Sequence, residues 1–319
     1  MKRIAVMTSG GDAPGMNAAV RAIVRTASGF GIEVYGFYRG YQGIVDNDFT
    51  VLGPRDVGNI IQMGGTFLKT SRCKDFMTKE GFESAVKNLK KDKIDALIVI
   101  GGNGTFRGAE ELNLAGIKVI GVPGTIDNDL GYTDRTIGFD TAVDTVVSLM
   151  NNVRDTVQAH ERLTVVEVMG RKCGDIALQT GIACGADLIL VPEVKLTDKQ
   201  ICDKLLRSRE SGKKASIIVL AEGVGKAEDV LKIIKDQTGI DGRHLVVGYI
   251  QRGGSPTTID RVLATRLGNY AVKLLRDGVY GVAVGEKNGK LVNVALKQAV
   301  SAVRKFDIDT YNLNDDVSV

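Results

Sequence analysis

The sequence predicts an α/β fold of two similar lobes, each a mainly parallel sheet flanked by helices on both faces, a Rossmann-like sandwich. Short apolar, β-rich runs alternate with longer amphipathic stretches along the whole chain, the order produced by βαβ units. The composition is globular, 44% hydrophobic and 25% charged, and 319 residues suffice for two domains. Glycine is abundant, with 39 residues against 5 prolines, as expected where backbone must approach a ligand closely.

Residues 4–8 read as the first strand and residues 16–28 as the first helix. Residues 34–38, 96–100 and 119–122 are further strands, with a helix near 105–113 between the last two. Across residues 144–158, Val146, Leu149 or Met150, Val153 and Val157 recur at helical spacing and define one buried stripe. Residues 164–168, 188–191, 216–221 and 245–249 add strands separated by helical segments, and 260–276 adds a helix. No tandem repeat or Pro- or Ser-rich linker marks a boundary. The expected lobes are 1–138 with about 251–300, and 139–250 with about 301–319.

Several function classes are excluded early. No apolar stretch reaches the roughly 18 residues of a membrane span. The first residues lack the long apolar region of a signal peptide. Cys73, Cys173, Cys184 and Cys202 show no CxxC spacing, so a reducing, cytoplasmic setting without zinc is expected. A net charge of +4 without a basic, aromatic-interleaved stripe gives no support for nucleic acid. With two histidines, His160 and His244, a Ser-His-Asp or Cys-His mechanism has little to work with.

The chemistry concentrates at strand ends. The run 117–122 leads into Pro-Gly-Thr-Ile-Asp-Asn-Asp, which sets Asp127 and Asp129 two residues apart with Thr125 just before them. At the C-terminal end of a strand, where open α/β sheets bind ligands, this suits a proton acceptor beside phosphate or metal. A polar loop with a capping Asp fits the same residues, and both readings stay open at this point. Two glycine-rich strand-to-helix loops, residues 9–17 and 100–106, would offer unpaired helix N–H groups to anions. Neither matches GxxxxGK[ST] or GxGxxG. Arg162, Arg171 and Arg252 fall near strand termini. One such arginine alone reads as a solvated surface residue, whereas three suit bidentate phosphate binding.

These segments resemble the bacterial ATP-dependent 6-phosphofructokinase family along essentially the whole chain. The carriers are TSGGDAPGMNAAVRA (8–22), GGNGT (101–105), PGTIDND (123–129), IGFDTA (137–142), HERLTVVEVMGR (160–171), AEGVG (221–225) and QRGGSP (251–256). The resemblance implies a cytoplasmic homotetramer that transfers the γ-phosphoryl of MgATP to the 1-hydroxyl of fructose 6-phosphate. It implies Asp127 as base, with Thr125 and Asp129 arranging the site, and Gly11, Arg72 and Arg171 stabilising the moving phosphoryl. ATP would lie on Gly11, Arg72, Cys73, Gly102, Asn103, Gly104 and Thr105, and Mg²⁺ near Asn103 and Asp129. The sugar phosphate would meet Thr125, Ile126, Asp127, Met169, Gly170, Arg171, Glu222, Tyr249, Ile250, Gln251 and Arg252. Arg162 and Arg243 would reach in from a neighbouring subunit. An effector site for ADP or phosphoenolpyruvate would use Arg21, Val24, Arg25, Arg154, Gly185, Asp187, Ser211, Lys213 and Lys214. Gly104 and Gly124 resemble the ATP-using branch, since pyrophosphate users carry Asp and Lys there.

The chain departs from the family pattern at three places. Asn103 stands where Asp is usual beside the metal, which predicts weaker metal use and lower turnover. Tyr249 replaces a common His, predicting weaker sugar-phosphate binding. Ser211 replaces a frequent Arg, and Pro54 precedes Arg55 where some members have Arg, predicting blunted effector control. Two competing readings are a regulatory nucleotide sensor, favoured by Asn103, and a nucleotide or lipid kinase sharing the GGxGT loop.

Overall fold

In the computed structural model, which describes residues 1–318, the chain divides into two compact units. One comprises Met1–Thr141 with Arg252–Arg304, the other Ala142–Gln251 with the segment from Lys305 onward. The elements run β1 (Arg3–Thr8), α1 (Met16–Gly29), β2 (Glu33–Phe37), α2 (Tyr41–Asp46), β3 (Phe49–Leu52), α3 (Lys79–Lys91), β4 (Ala96–Gly101), α4 (Asn103–Leu114) and β5 (Val119–Pro123). They continue with α5 (Phe139–Ala159), β6 (Leu163–Val168), α6 (Asp175–Ala183), β7 (Leu188–Leu190), α7 (Asp198–Glu210), β8 (Ser216–Ala221), α8 (Ala227–Thr238) and β9 (Gly242–Val246). The last elements are α9 (Thr258–Arg276), β10 (Val282–Lys287), β11 (Lys290–Ala295), α10 (Leu296–Ser301) and α11 (Ile308–Val317).

The first unit holds a seven-stranded sheet in the order β11-β10-β5-β4-β1-β2-β3. Its centre is parallel: Thr8 lies opposite Ile100, and Ile100 opposite Val122. Ile4 to Met7 and Ala96 to Ile100 are completely buried, which explains why these strands read as continuous apolar runs rather than alternating ones. Ala5, Met7, Leu97, Val99 and Val119 share one core cluster with Phe37, Phe106 and Leu112. Each large side chain buried there contributes about 1.5–3 kcal/mol. α1 and α9 approach so closely that a Cβ on Gly268 would lie 2.8 Å from the Ala19 carbonyl.

The second unit holds a four-stranded parallel sheet, β7-β8-β6-β9. Its core joins Leu163, Val165, Ile218 and Leu220 to Leu205 of α7 and Ile234 of α8. Thr197 opens α7 with a reciprocal capping box to Gln200. Among the described residues no helix is long and apolar enough to cross a membrane, and all four cysteines are free.

The structure corrects two sequence expectations. The sheets are not similar in size, because antiparallel β3 and the β10–β11 hairpin extend only the first. The strand expected at 245–249 lies at Gly242–Val246, paired to β6 from Leu163↔Gly242. Gly248, at φ +60°, ends extension there, and Gly248–Arg252 forms a 3-10 turn that carries Tyr249.

Asp260, in the first turn of α9, is 1% exposed. Its Oδ1 accepts the Gly138 N–H at 2.8 Å, and its Oδ2 accepts the Thr141 N–H at 2.8 Å and hydroxyl at 2.6 Å. Burial pushes its carboxyl from 3.8 up to about 6, against the lowering effect of those hydrogen bonds, and neighbouring Asp140 adds to the rise. Because the folded state then binds more protons than the unfolded chain between pH 4 and 6, stability falls as pH rises through that window. The shift corresponds to roughly 3 kcal/mol. Unfolding of the wild type and Asp260→Asn, followed from pH 4 to 7, should show the wild type losing up to about that much relative to the variant. Parallel pH curves for the two proteins would contradict this.

Candidate active site

Three segments converge at the C-terminal ends of β1, β4 and β5. The Ser9 N–H donates to the Ile100 carbonyl at 3.0 Å, and the Gly124 N–H to the Gly101 carbonyl at 3.0 Å. The Thr105 hydroxyl, buried, donates to the Ser9 carbonyl at 3.1 Å. Both glycine loops therefore hang from backbone bonds at one sheet edge, followed by α1 and α4. Neither helix carries a side-chain cap or an acidic residue in its first turn. Their first N–H groups are placed to receive an anion.

Asp127 is 6% exposed, and its N–H donates to the Thr125 hydroxyl at 3.2 Å. The segment returns on itself to hold that loop. Thr125 N–H bonds the Ile137 carbonyl at 3.1 Å. The Thr136 hydroxyl donates to the Thr125 carbonyl at 2.6 Å, and Asn128 Oδ1 accepts the Thr136 N–H at 3.1 Å. Asn128 sits at φ +52°, a conformation Asn tolerates, and this turns the chain between the two carboxylates.

Asn103 begins α4, and its amide donates to Asp129 Oδ2 at 3.0 Å. Asp129 Oδ1 is buried and makes no hydrogen bond. Turned over, the Asn103 amide would present its oxygen to the same space. One carboxylate and one amide oxygen fit a hard cation that keeps waters and phosphate oxygens as its other ligands. Among the described residues there is no group of three or more His, Cys, Asp or Glu that could hold a metal by itself.

Arg252 lies over the first loop, its guanidinium carbon 3.6 Å from where a Cβ on Gly11 would stand. Arg72 is exposed, on a stretch tethered by Thr8 to the Lys69 carbonyl at 2.9 Å and by Thr70 to the Gly10 carbonyl at 2.7 Å. Cys73 Sγ accepts the Phe76 N–H at 3.3 Å, and burial raises its thiol pKa. Ile126 is 3% exposed with its side chain in the core, so an expected sugar contact there falls to the backbone.

In the second unit, Met169, Gly170 and Arg171 follow β6. Arg171 N–H donates to Glu222 Oε1 at 2.8 Å, and Met169 N–H to Gln251 Oε1 at 3.1 Å. Gln251 is fully buried and also donates to the Gly248 carbonyl, so its side chain holds this edge in place. Tyr249 and Ile250 are exposed. Arg162 and Arg243 stand at the opposite, N-terminal edge of the sheet from Arg171. A six-residue strand of about 20 Å separates the two edges.

The expected effector residues split between the units. Arg25 of α1 donates to the Pro54 carbonyl at 3.4 Å. Val24 is completely buried on the inner face of α1, so its side chain cannot meet an effector. In the second unit Arg154 binds the Cys184 and Gly185 carbonyls, Lys213 pairs with Asp187, and Lys214 lies 3.2 Å from Glu161. Ser211 donates to the Ser208 carbonyl at 2.7 Å. Asp187 and Ser211 line a cavity of about 410 Å³ with Lys204, Arg207 and Ser208, three residues the sequence pattern did not single out. Asp260 was likewise missed, having been read only as the start of a helix.

Paired glycine loops at uncapped helix N-termini, beside a buried loop carboxylate, mark this as an anion-binding α/β protein. The chain belongs to the phosphofructokinase family, whose model, PFK: Phosphofructokinase, matches residues 3–275. It is 52% identical over 319 residues, all of both chains, to the ATP-dependent 6-phosphofructokinase of Clostridioides difficile. It is 50% identical over 313 residues, 98% of each chain, to that of Clostridium botulinum strain Hall. Phosphofructokinase from Saccharomyces cerevisiae superposes with a TM-score of 0.91 at 33% identity, covering 98% of this chain and 50% of the yeast chain. This chain thus spans half the length of that structure.

Gly101 and Gly104 of the second loop differ in what surrounds them. A Cβ on Gly101 would come within 2.5 Å of the Ser9 carbonyl and collide with Thr105, whereas one on Gly104 meets nothing within 4 Å. Gly101→Ala should destabilise the protein by about 1–3 kcal/mol. Gly104→Ala should leave stability equal or higher by up to about 1 kcal/mol, because alanine suits a helix better than glycine. Denaturant midpoints of the two variants check the contrast, and equal midpoints would refute it.

Proposed function

We propose that this protein transfers the γ-phosphoryl of ATP to the 1-hydroxyl of fructose 6-phosphate, giving fructose 1,6-bisphosphate and ADP. The observation that carries the reading is Asp127, a buried carboxylate on a loop tied to the edge where two uncapped helix N-termini emerge. Family membership and the named relatives supply the substrates.

In this reading the sugar hydroxyl attacks the γ-phosphorus and Asp127 takes its proton, while the bond to the β-phosphate oxygen breaks and ADP leaves. Gly11, Arg72 and Arg171 stabilise charge on the moving phosphoryl, and Thr125 orients the loop. Gly102, Asn103, Gly104 and Thr105 hold the donor. The open space at Gly104 suits a nucleotide, and Gly124, where a Cβ would lie 3.0 Å from Ile100, leaves little room for a lysine. Mg²⁺, held by Asp129 and Asn103 with the nucleotide, would neutralise phosphate charge. The sugar phosphate is assigned to Met169, Gly170, Glu222, Tyr249, Ile250 and Arg252. Arg162 and Arg243, at the far edge of their sheet, suit a role toward a neighbouring subunit of a homotetramer. ADP or phosphoenolpyruvate would meet Arg21, Arg25, Arg154, Gly185, Asp187, Lys213 and Lys214, with weak control because Ser211 is neutral.

Asp127→Asn should lower kcat at least about a thousandfold with ATP as donor, since it removes the base and its charge together. Steady-state kinetics with ATP and pyrophosphate in parallel test both residue and donor; a fully active variant, or pyrophosphate as the better donor, would overturn the reading. Asn103→Asp should shift the Mg²⁺ dependence of activity to lower concentration, because a second carboxylate replaces a neutral amide. An unchanged Mg²⁺ titration would remove Asn103 from the metal site.

A further inference from the structure

We propose that Asp260 is a positioning residue for phosphoryl transfer, its carboxylate fixing residues 136–141 and, through them, the loop that carries Asp127. This rests on the proposed role of Asp127. Asp260 does not serve its own helix: α9 is capped by the Thr257 hydroxyl, which accepts the Asp260 N–H at 3.3 Å. Its side chain instead turns to another segment and accepts three hydrogen bonds from Gly138 and Thr141. Those donors belong to the start of α5, so the carboxylate satisfies N–H groups there from a distant part of the sequence.

Three segments that carry proposed site residues meet at this point. A Cβ on Gly15, at the start of α1, would lie 2.7 Å from Ile137 and 3.5 Å from Asp260. A Cβ on Gly138, whose φ is +101°, would lie 2.6 Å from the Ala13 side chain. Ile137 in turn accepts the Thr125 N–H and donates to the Pro123 carbonyl, and Thr136 grips the Thr125 carbonyl. The third segment is the run from Arg252 to α9, anchored where Thr257 N–H donates to the Thr141 hydroxyl at 3.0 Å and Thr257 Oγ1 donates to Asp140 at 2.6 Å. Thr141 is thus a relay, accepting from Thr257 and donating to Asp260.

A carboxylate buried to this degree is expensive unless its hydrogen bonds are complete, and an apolar residue would fill the same space at lower cost. What the carboxylate supplies is direction: three donors converge on two oxygens and admit one arrangement of residues 138–141. In Asp260→Asn the amide NH₂ must face at least one N–H or O–H donor, and residues 136–141 shift. A misplacement of about 1 Å at reacting groups costs on the order of a hundredfold in rate.

Full-length Asp260→Asn, Thr141→Val, the double variant and Asp127→Asn are compared by steady-state kinetics with MgATP and fructose 6-phosphate. Asp260→Asn should lower kcat by about 10- to 100-fold while both KM values stay within about threefold. Thr141→Val should lower kcat less, and the double variant should be no slower than Asp260→Asn alone, since both act through one contact. Wild-type kcat in Asp260→Asn, or a loss confined to KM, overturns the inference. If Asp260→Asn does not fold, Thr141→Val decides: reduced kcat at unchanged KM supports the role and unchanged kcat overturns it. Asp127→Asn separates the two readings. An inactive Asp127→Asn beside a fully active Asp260→Asn refutes only the positioning role, whereas an active Asp127→Asn refutes the proposed base.

Discussion

The site depends on the parallel pairing of β1, β4 and β5. Thr8 opposite Ile100, and Gly101 opposite Pro123, bring three strand ends level at one edge. Three loops leave from that line: the first glycine loop, the second, and the loop that carries Asp127. A register slip of one residue would move every side chain of these strands to the opposite face of the sheet and into space shaped for its neighbour. The complete burial of Ile4 to Met7 and Ala96 to Ile100 holds the register. Backbone bonds then carry it into the loops, through Ser9 to Ile100 and Gly124 to Gly101.

At this edge the protein trades charge for geometry. The two helix N-termini here lack side-chain caps, as do those of α2, α6, α8 and α10, and neither carries an acidic residue in its first turn. The cost of leaving such N–H groups unpaired is recovered when an anion binds. Asn103 and Asp129 follow the same logic. Two carboxylates at that separation would repel without a cation between them, whereas the amide and carboxylate hydrogen-bond. The pair is thereby ordered on its own.

Much of this was legible in the sequence because it follows from local rules. Continuous apolar runs gave the central strands, and the glycine clusters marked the loops between strand and helix. Pro-Gly-Thr-Ile-Asp-Asn-Asp placed the carboxylates correctly at a strand end. What escaped had non-local causes. The 3-10 turn at Gly248–Arg252 depends on a positive φ at Gly248, not on apolar periodicity. The burial of Val24, Ile126 and Gln251 depends on which face each element turns to its neighbours. Asp260 was invisible because its partners lie 119 to 122 residues away, and nothing in Thr-Thr-Ile-Asp-Arg distinguishes a helix-capping Asp from one that holds another segment.

The most direct test of the account is identification of the product. Purified protein is incubated with MgATP and fructose 6-phosphate and followed by phosphorus NMR. The account predicts a new phosphomonoester resonance at the sugar 1-position, appearing in step with ADP and absent when either substrate is omitted. ADP and inorganic phosphate without a new sugar ester, or no turnover at all by folded protein, would contradict it.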